Sequence, residues 1–198
     1  MSDKTDALKK ILLEVAGLKR SPLYEYRTKN HYFPVIGEGS HDSRIMFIGE
    51  APGQNEAKTG RPFCGAAGRL LDKLLASVSI PRSEVYITNI VKDRPPDNRD
   101  PKPDEIELYA PYLIRQIDII KPQVLATLGR FSMAFIMQKF GLESQLASIT
   151  LLHGKLFAAE ASYGVVHILP LYHPAVAIYD NKKYPELEKD FLLLKNFA

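Results

Sequence analysis

The chain contains no tryptophan and one cysteine, Cys64, among 198 residues. A single thiol excludes an internal disulfide and any all-cysteine metal site within one chain. Cys64 itself is expected to be a small buried residue rather than a nucleophile. No apolar run reaches the ~20 residues that a bilayer span requires, so no membrane association is expected. Met1–Lys10 is polar and lacks the apolar core and cleavage site of a signal peptide, and a cytoplasmic protein is expected. Neither sign of charge dominates: 26 Lys and Arg face 23 Asp and Glu, and the net charge of +3 is compatible with a polyanionic partner without identifying one. The Gly-Lys-Ser/Thr ending of a phosphate-binding loop, the Gly-x-Gly-x-x-Gly dinucleotide fingerprint and the Gly-x-Ser-x-Gly nucleophile elbow are all missing. So is any pair of Cys or His at ligand spacing. His31, His41, His153 and His167 are therefore assigned structural or solvent-exposed places. Repeats, low-complexity tracts and linkers are absent too, and one domain over residues 1–198 is expected.

What the sequence does contain is an alternation of strand and helix patterns. Residues 3–18 place Leu8, Ile11, Leu12, Val15 and Leu18 on one face of an amphipathic helix, and residues 21–40 read as an irregular loop. Arg44–Ile48 is a short apolar strand. It runs into Gly49-Glu50-Ala51-Pro52-Gly53-Gln54-Asn55-Glu56 and on to Gly60-Arg61-Pro62-Phe63-Cys64-Gly65, before a helix from Arg69 to about Val78. Val85–Val91 is a second strand, Pro103 opens a long helix that Pro122 ends, and Val124–Gly129 is a third strand and turn. A helix over about 131–140, strand candidates at Gly154–Ala159 and Val165–Leu171, and a last helix over about 184–197 complete the chain. This order implies an α/β fold, a three-layer α/β/α sandwich around a central, mainly parallel four-stranded sheet.

In such sheets ligands bind beyond the carboxyl ends of the strands. Glu50, Asn89 and His173 each lie at or just beyond a predicted strand end, so three separate segments are expected to meet on one rim. The glycine-rich loop adds Glu56 and Phe63 to the same mouth. Lys92, Arg94, Arg99 and Lys102 share a loop with three prolines between positions 95 and 101, and Lys182 and Lys183 share another, so positive charge is expected around the site.

The chemistry of this set is specific. An Asn presents one donor and one acceptor to a base edge, a Phe stacks on the base, and a His donates to a carbonyl oxygen that gains negative charge. Glu50 or Glu56 can orient a water or stabilise a cationic sugar. Together they suit cleavage of an N-glycosidic bond, without a metal.

Gly49-Glu50-Ala51-Pro52-Gly53, Gly60-Arg61-Pro62-Phe63-Cys64-Gly65, Thr88-Asn89-Ile90-Val91-Lys92 with Arg94-Pro95-Pro96-Asp97-Asn98-Arg99, and His173-Pro174-Ala175 together resemble the family 4 uracil-DNA glycosylases. The resemblance runs from about Leu18 to the C-terminus. It implies that Phe63 stacks on a flipped-out uracil, that Asn89 reads its polar edge beside Gly49, Ala51 and Gly53, and that His173 stabilises charge on the uracil oxygen. Glu50 and Glu56 serve the loop and the water or sugar cation. Lys92, Arg94, Arg99 and Lys182 are expected on the DNA, single or double stranded, with Ile178 or Tyr179 as the wedge. A monomer is expected.

The family typically holds a four-iron, four-sulfur cluster on four cysteines. The matching positions here are Leu18, Ser21, Asp93 and Tyr109, and no cluster is expected, Leu18 and Tyr109 forming an apolar substitute pair. No histidine lies between His41 and His153, which argues against the covalent trapping of related enzymes with a histidine-bearing insertion. The water-activating aspartate of the family 1 enzymes is replaced by Ala51. Two further readings remain open: an inactive DNA- or partner-binding module on the same fold, and a glycosylase for another deaminated base.

Overall fold

A computed structural model describes residues 3–198; Met1 and Ser2, which begin the polar Met1–Lys10 segment, lie outside the described residues. The elements in chain order are α1 (Asp3–Ala16), α2 (Tyr24–Lys29), β1 (Glu38–Gly39), β2 (Ile45–Gly49), α3 (Gln54–Thr59), α4 (Ala66–Ser77), β3 (Tyr86–Asn89), α5 (Pro103–Ile120), β4 (Val124–Leu128), α6 (Arg130–Lys139), α7 (Ile149–Leu152), β5 (Phe157–Ala161), β6 (Gly164–Leu171), α8 (Val176–Tyr179) and α9 (Tyr184–Phe191). The predicted strands and long helices are present within a few residues of their expected bounds. The differences lie where tertiary contacts outweigh local pattern. Residues 21–40 carry α2, six residues long and too short to show a period, and β1, which exists only by pairing with β3. The last helix tightens into a 3-10 turn over Leu192–Asn196.

One sheet runs in the order β1-β3-β2-β4-β6-β5. The four inner strands are all parallel, which is the expected parallel core. Two antiparallel edge strands, β1 and β5, extend it to six. Every residue of β2 is buried, and alternate side chains serve opposite faces. Met46 and Ile48 join the core under α1, α5 and α6, whereas Ile45 and Phe47 join the core under α4 and α9. The result is the α/β/α sandwich that the alternation implied.

The topology also places the site. From β2 the chain crosses to β3 on one side and later to β4 on the other, so crossovers part company at the carboxyl end of β2. A crevice opens at such a switch point because no connection covers it. That end is Gly49-Glu50.

Candidate active site

Beyond the sheet's carboxyl edge lies a cavity of about 420 Å³ lined by Glu50, Ala51, Pro52, Gly53, Glu56, Phe63, Asn89 and His173, among others. Register explains the convergence: Gly49 pairs with Asn89 in neighbouring parallel strands, and the Ile90 and Val91 N–H groups donate to the Gly49 and Glu50 carbonyls. Asn89 is 2% exposed and Phe63 7% exposed, so both belong to the cavity's inner wall. A Cβ on Gly49 would lie 2.3 Å from Asn89 Oδ1 and 2.8 Å from the Phe63 ring, so only glycine lets both side chains close over this backbone. Gly68 serves the same wall from below, where a Cβ would meet the Phe63 carbonyl oxygen at 1.8 Å. Phe63 itself holds a left-handed φ of 47° and sits 5.6 Å from the His173 ring, at 34° to it.

His173 is fixed in one tautomer. The Ala175 N–H donates to its Nδ1 at 3.2 Å, so Nδ1 carries a lone pair and the proton of the neutral ring is on Nε2. Burial pushes the His173 pKa below its usual value, against the pull of the Glu56 charge. The ring is therefore neutral at and above neutrality, and its free polar atom is a donor.

The two glutamates, equivalent in the sequence, are distinguished here. Glu56 Oε1 accepts from the backbone N–H groups of Cys64 and Gly65, 2.9 Å each, and so braces the loop that carries Phe63. Nothing described donates to the Glu50 carboxylate. Burial, then the nearby Asp100, pushes its pKa up to about 7, against Arg130.

The cationic loop divides differently from expectation. Lys92 is fully buried and reaches no phosphate; its Nζ donates to Thr88 Oγ1, the Asn89 carbonyl and Gln116 Oε1 at 2.8, 2.5 and 2.5 Å, behind the strand that carries Asn89. Arg94 is buried as well, donating to the hydroxyls of Tyr26 and Tyr32 and to Asn98. Both corrections have one cause: buried acceptors at the end of β3 and on neighbouring segments draw these two cations inward. Arg99 lines the cavity but is held by both Glu105 oxygens. On the second loop Ile178, Tyr179 and Lys182 are exposed, Tyr179 by 90%. Sequence reading missed Arg130, the first residue of α6, which meets Asp100 across the rim at 3.3 Å; its place just after β4, on the carboxyl edge, was the available signal. Cys64 is half-buried, 3.4 Å from Thr59 Oγ1.

The sequence model of the uracil DNA glycosylase superfamily matches residues 36–194. The chain belongs to that superfamily, in its type-4 branch. It is 45% identical over 194 residues to a type-4 uracil-DNA glycosylase of Sulfurisphaera tokodaii, covering 98% of this chain and 86% of that one. It is 41% identical to a type-4 uracil-DNA glycosylase of Archaeoglobus fulgidus, covering 94% and 90% of the two chains. Within this branch, the four positions that correspond to cluster cysteines do not fit an iron–sulfur cluster. Leu18 has no donor atom, and the other three are bonded to one another: the Tyr109 hydroxyl donates to Asp93 Oδ2 at 2.6 Å and accepts from Ser21 at 2.8 Å. Arg27 stands 3.5 Å from the other Asp93 oxygen. Leu18 and Tyr109 share one apolar cluster, but a polar chain, not an apolar pair, joins these segments. Among the described residues no cluster of His, Cys, Asp or Glu could hold a metal, and no helix is long and apolar enough to cross a membrane.

Proposed function

We propose that this protein hydrolyses the N-glycosidic bond of deoxyuridine in DNA, releasing uracil and leaving an abasic site. The observation that carries the reading is the meeting of Phe63, Asn89 and His173 around one cavity. Phe63 stacks on the extruded base. The Asn89 amide donates to uracil O4 and accepts from N3–H; cytosine presents the reverse pair and is refused. As the bond to C1′ breaks, its electron pair passes to the base, and His173 Nε2–H donates to the uracil O2 on which charge builds. Glu50, whose carboxylate is free, orients the attacking water and takes its proton, while Glu56 keeps the Phe63 loop in place. Tyr179, 90% exposed on the loop after His173, fills the space that the base leaves. Lys182 and Arg130 meet phosphates. The enzyme acts as a monomer in the cytoplasm, on single or double strands, and without a resident cluster.

A labelled strand with one uracil, incubated with the protein and treated with alkali, should be cut at that position. Asn89→Ala should slow excision by about 10²-fold, because a buried base edge then lacks both partners. No cleavage by the wild type would overturn the reading, and an unaffected Asn89→Ala would overturn the site. Freshly purified protein should show no brown visible absorption and no stoichiometric iron; either would refute the cluster-free reading.

The pH dependence follows from Glu50. Its ionised form is required, so single-turnover rates should rise with pH on a limb near 7, where its pKa stands. Asp100→Asn removes a charge that raises this pKa and should move the limb to lower pH. A raised folded pKa contributes stability below the unfolded value and loses it as pH rises through about 7. Glu50→Gln should accordingly gain stability relative to the wild type at pH 8 and not at pH 4. A limb that stays in place in Asp100→Asn would exclude Glu50 as its source.

A further inference from the structure

The loop between β3 and α5 carries a polar side chain that the roles above leave unused. Asn98 lines the cavity mouth and is exposed, with a left-handed φ of 54°. Its amide is oriented from behind. The Arg94 Nε donates to Asn98 Oδ1 at 2.7 Å, and Arg94 cannot turn away, because its own guanidinium donates to Tyr26 and Tyr32 at 3.1 and 3.2 Å and lies over the Tyr32 ring. With the oxygen committed, the Asn98 NH2 is the free end, and no described group accepts from it. The loop that presents it is stiff: Pro95 and Pro96 precede it, its Asn98 N–H donates to the Pro95 carbonyl, and Arg99 is clamped on Glu105.

We infer that Asn98 is a further substrate-binding residue, whose side-chain NH2 donates to a phosphate flanking the flipped nucleotide, and that Arg94 is the positioning residue that aims it. This rests on the proposed uracil excision. A nucleotide that enters base first, toward buried Asn89 and Phe63, leaves its sugar and phosphates at the exposed mouth where Asn98 stands. Lys92, Arg94 and Arg99, the three cations nearest in the chain, do not compete for that position, since the first two are buried and Arg99 is paired. A neutral donor on a rigid loop fixes position rather than adding bulk affinity, which is the usual division of labour among phosphate contacts.

Asn98→Asp separates this role from mere bracing of the loop. An aspartate keeps an acceptor for Arg94, and strengthens that bond by its charge, but it replaces the donor with a negative oxygen facing phosphate. The variant should melt no lower than the wild type, yet lose about 10²-fold in kcat/KM on uracil DNA at pH 9, where Glu50 is ionised in both proteins. On a strand with neutral methylphosphonates on both sides of the uridine, the deficit should shrink to a few fold. Asn98→Ala, which lowers stability through the lost Arg94 bond, should lose about 10-fold, again less on the neutral strand. Wild-type rates in Asn98→Asp, or a deficit of equal size on both strands in either variant, would overturn the inference. If the wild type itself fails to release uracil, the underlying function fails instead.

Discussion

Gly49→Ala is expected to slow uracil excision by about 10³-fold while the protein still folds, since a misplacement of ~1 Å in one reacting group already costs on the order of 10²-fold. Gly49 lies in a strand with ordinary backbone angles, so alanine meets no conformational penalty there. The conflict is confined to what faces it. The new methyl would stand 2.3 Å from Asn89 Oδ1 and 2.8 Å from the Phe63 ring, both far inside contact distance. Neither neighbour has room to retreat, because Asn89 is anchored through a strand whose carbonyl is held by Lys92, and Phe63 rests on Gly68. One methyl therefore displaces both Asn89 and Phe63, the proposed edge reader and stacking ring, and the loss should exceed that of Asn89→Ala. Single-turnover excision with a melting curve beside it decides the matter. A variant that keeps more than a tenth of the wild-type rate would mean that the wall relaxes and that Gly49 sets no spacing.

Arg27→Met should destabilise the fold by about 3–5 kcal/mol, as removal of one partner from a buried ion pair does. In a domain of this size that corresponds to a fall in Tm of on the order of 10 °C. Arg27 is 4% exposed and binds two things at once. Its NH1 stands 3.5 Å from Asp93 Oδ1, which accepts no hydrogen bond, so that the contact is an ion pair alone, while NH1 and NH2 donate to the Val15 and Ala16 carbonyls at the end of α1. Methionine matches the length of the stem but leaves Asp93 buried and those carbonyls open. Burial already pushes the Asp93 carboxyl up to about 6, against the Tyr109 bond and the Arg27 charge. Adding Asp93→Asn to Arg27→Met should restore part of the loss, because the stranded charge is gone, and the cycle measures the coupling. A loss below about 1 kcal/mol for Arg27→Met alone would show that this ion pair does not hold the α1–α2 segment to the rest of the domain.

Four residues that cannot serve as thiolate ligands are the ground for expecting an iron-free domain, and that much is sequence chemistry. What stands in those places was not legible there. Leu18, Ser21, Asp93 and Tyr109 are spread from position 18 to position 109, and the Asp93 charge is met by Arg27, a residue with no pattern to mark it. The cationic loop teaches the same lesson with the opposite sign. Lys92, Arg94 and Arg99 look alike as a charge cluster, yet one supports Asn89 from inside, one aims Asn98 and one clamps Glu105. Charge in a sequence has no direction until the fold assigns each side chain a neighbour.

By itself the sequence determined the α/β alternation, the parallel core and the three segments whose ends carry Glu50, Asn89 and His173. These follow from hydrophobic period, turn chemistry and strand order, all of which are local or nearly so. Only the tertiary structure decided which glutamate braces the loop and which is free, which histidine nitrogen carries the proton, and which cations face outward. Those are properties of contacts between residues far apart in the chain, and they arise from burial and hydrogen-bond geometry that no single segment contains.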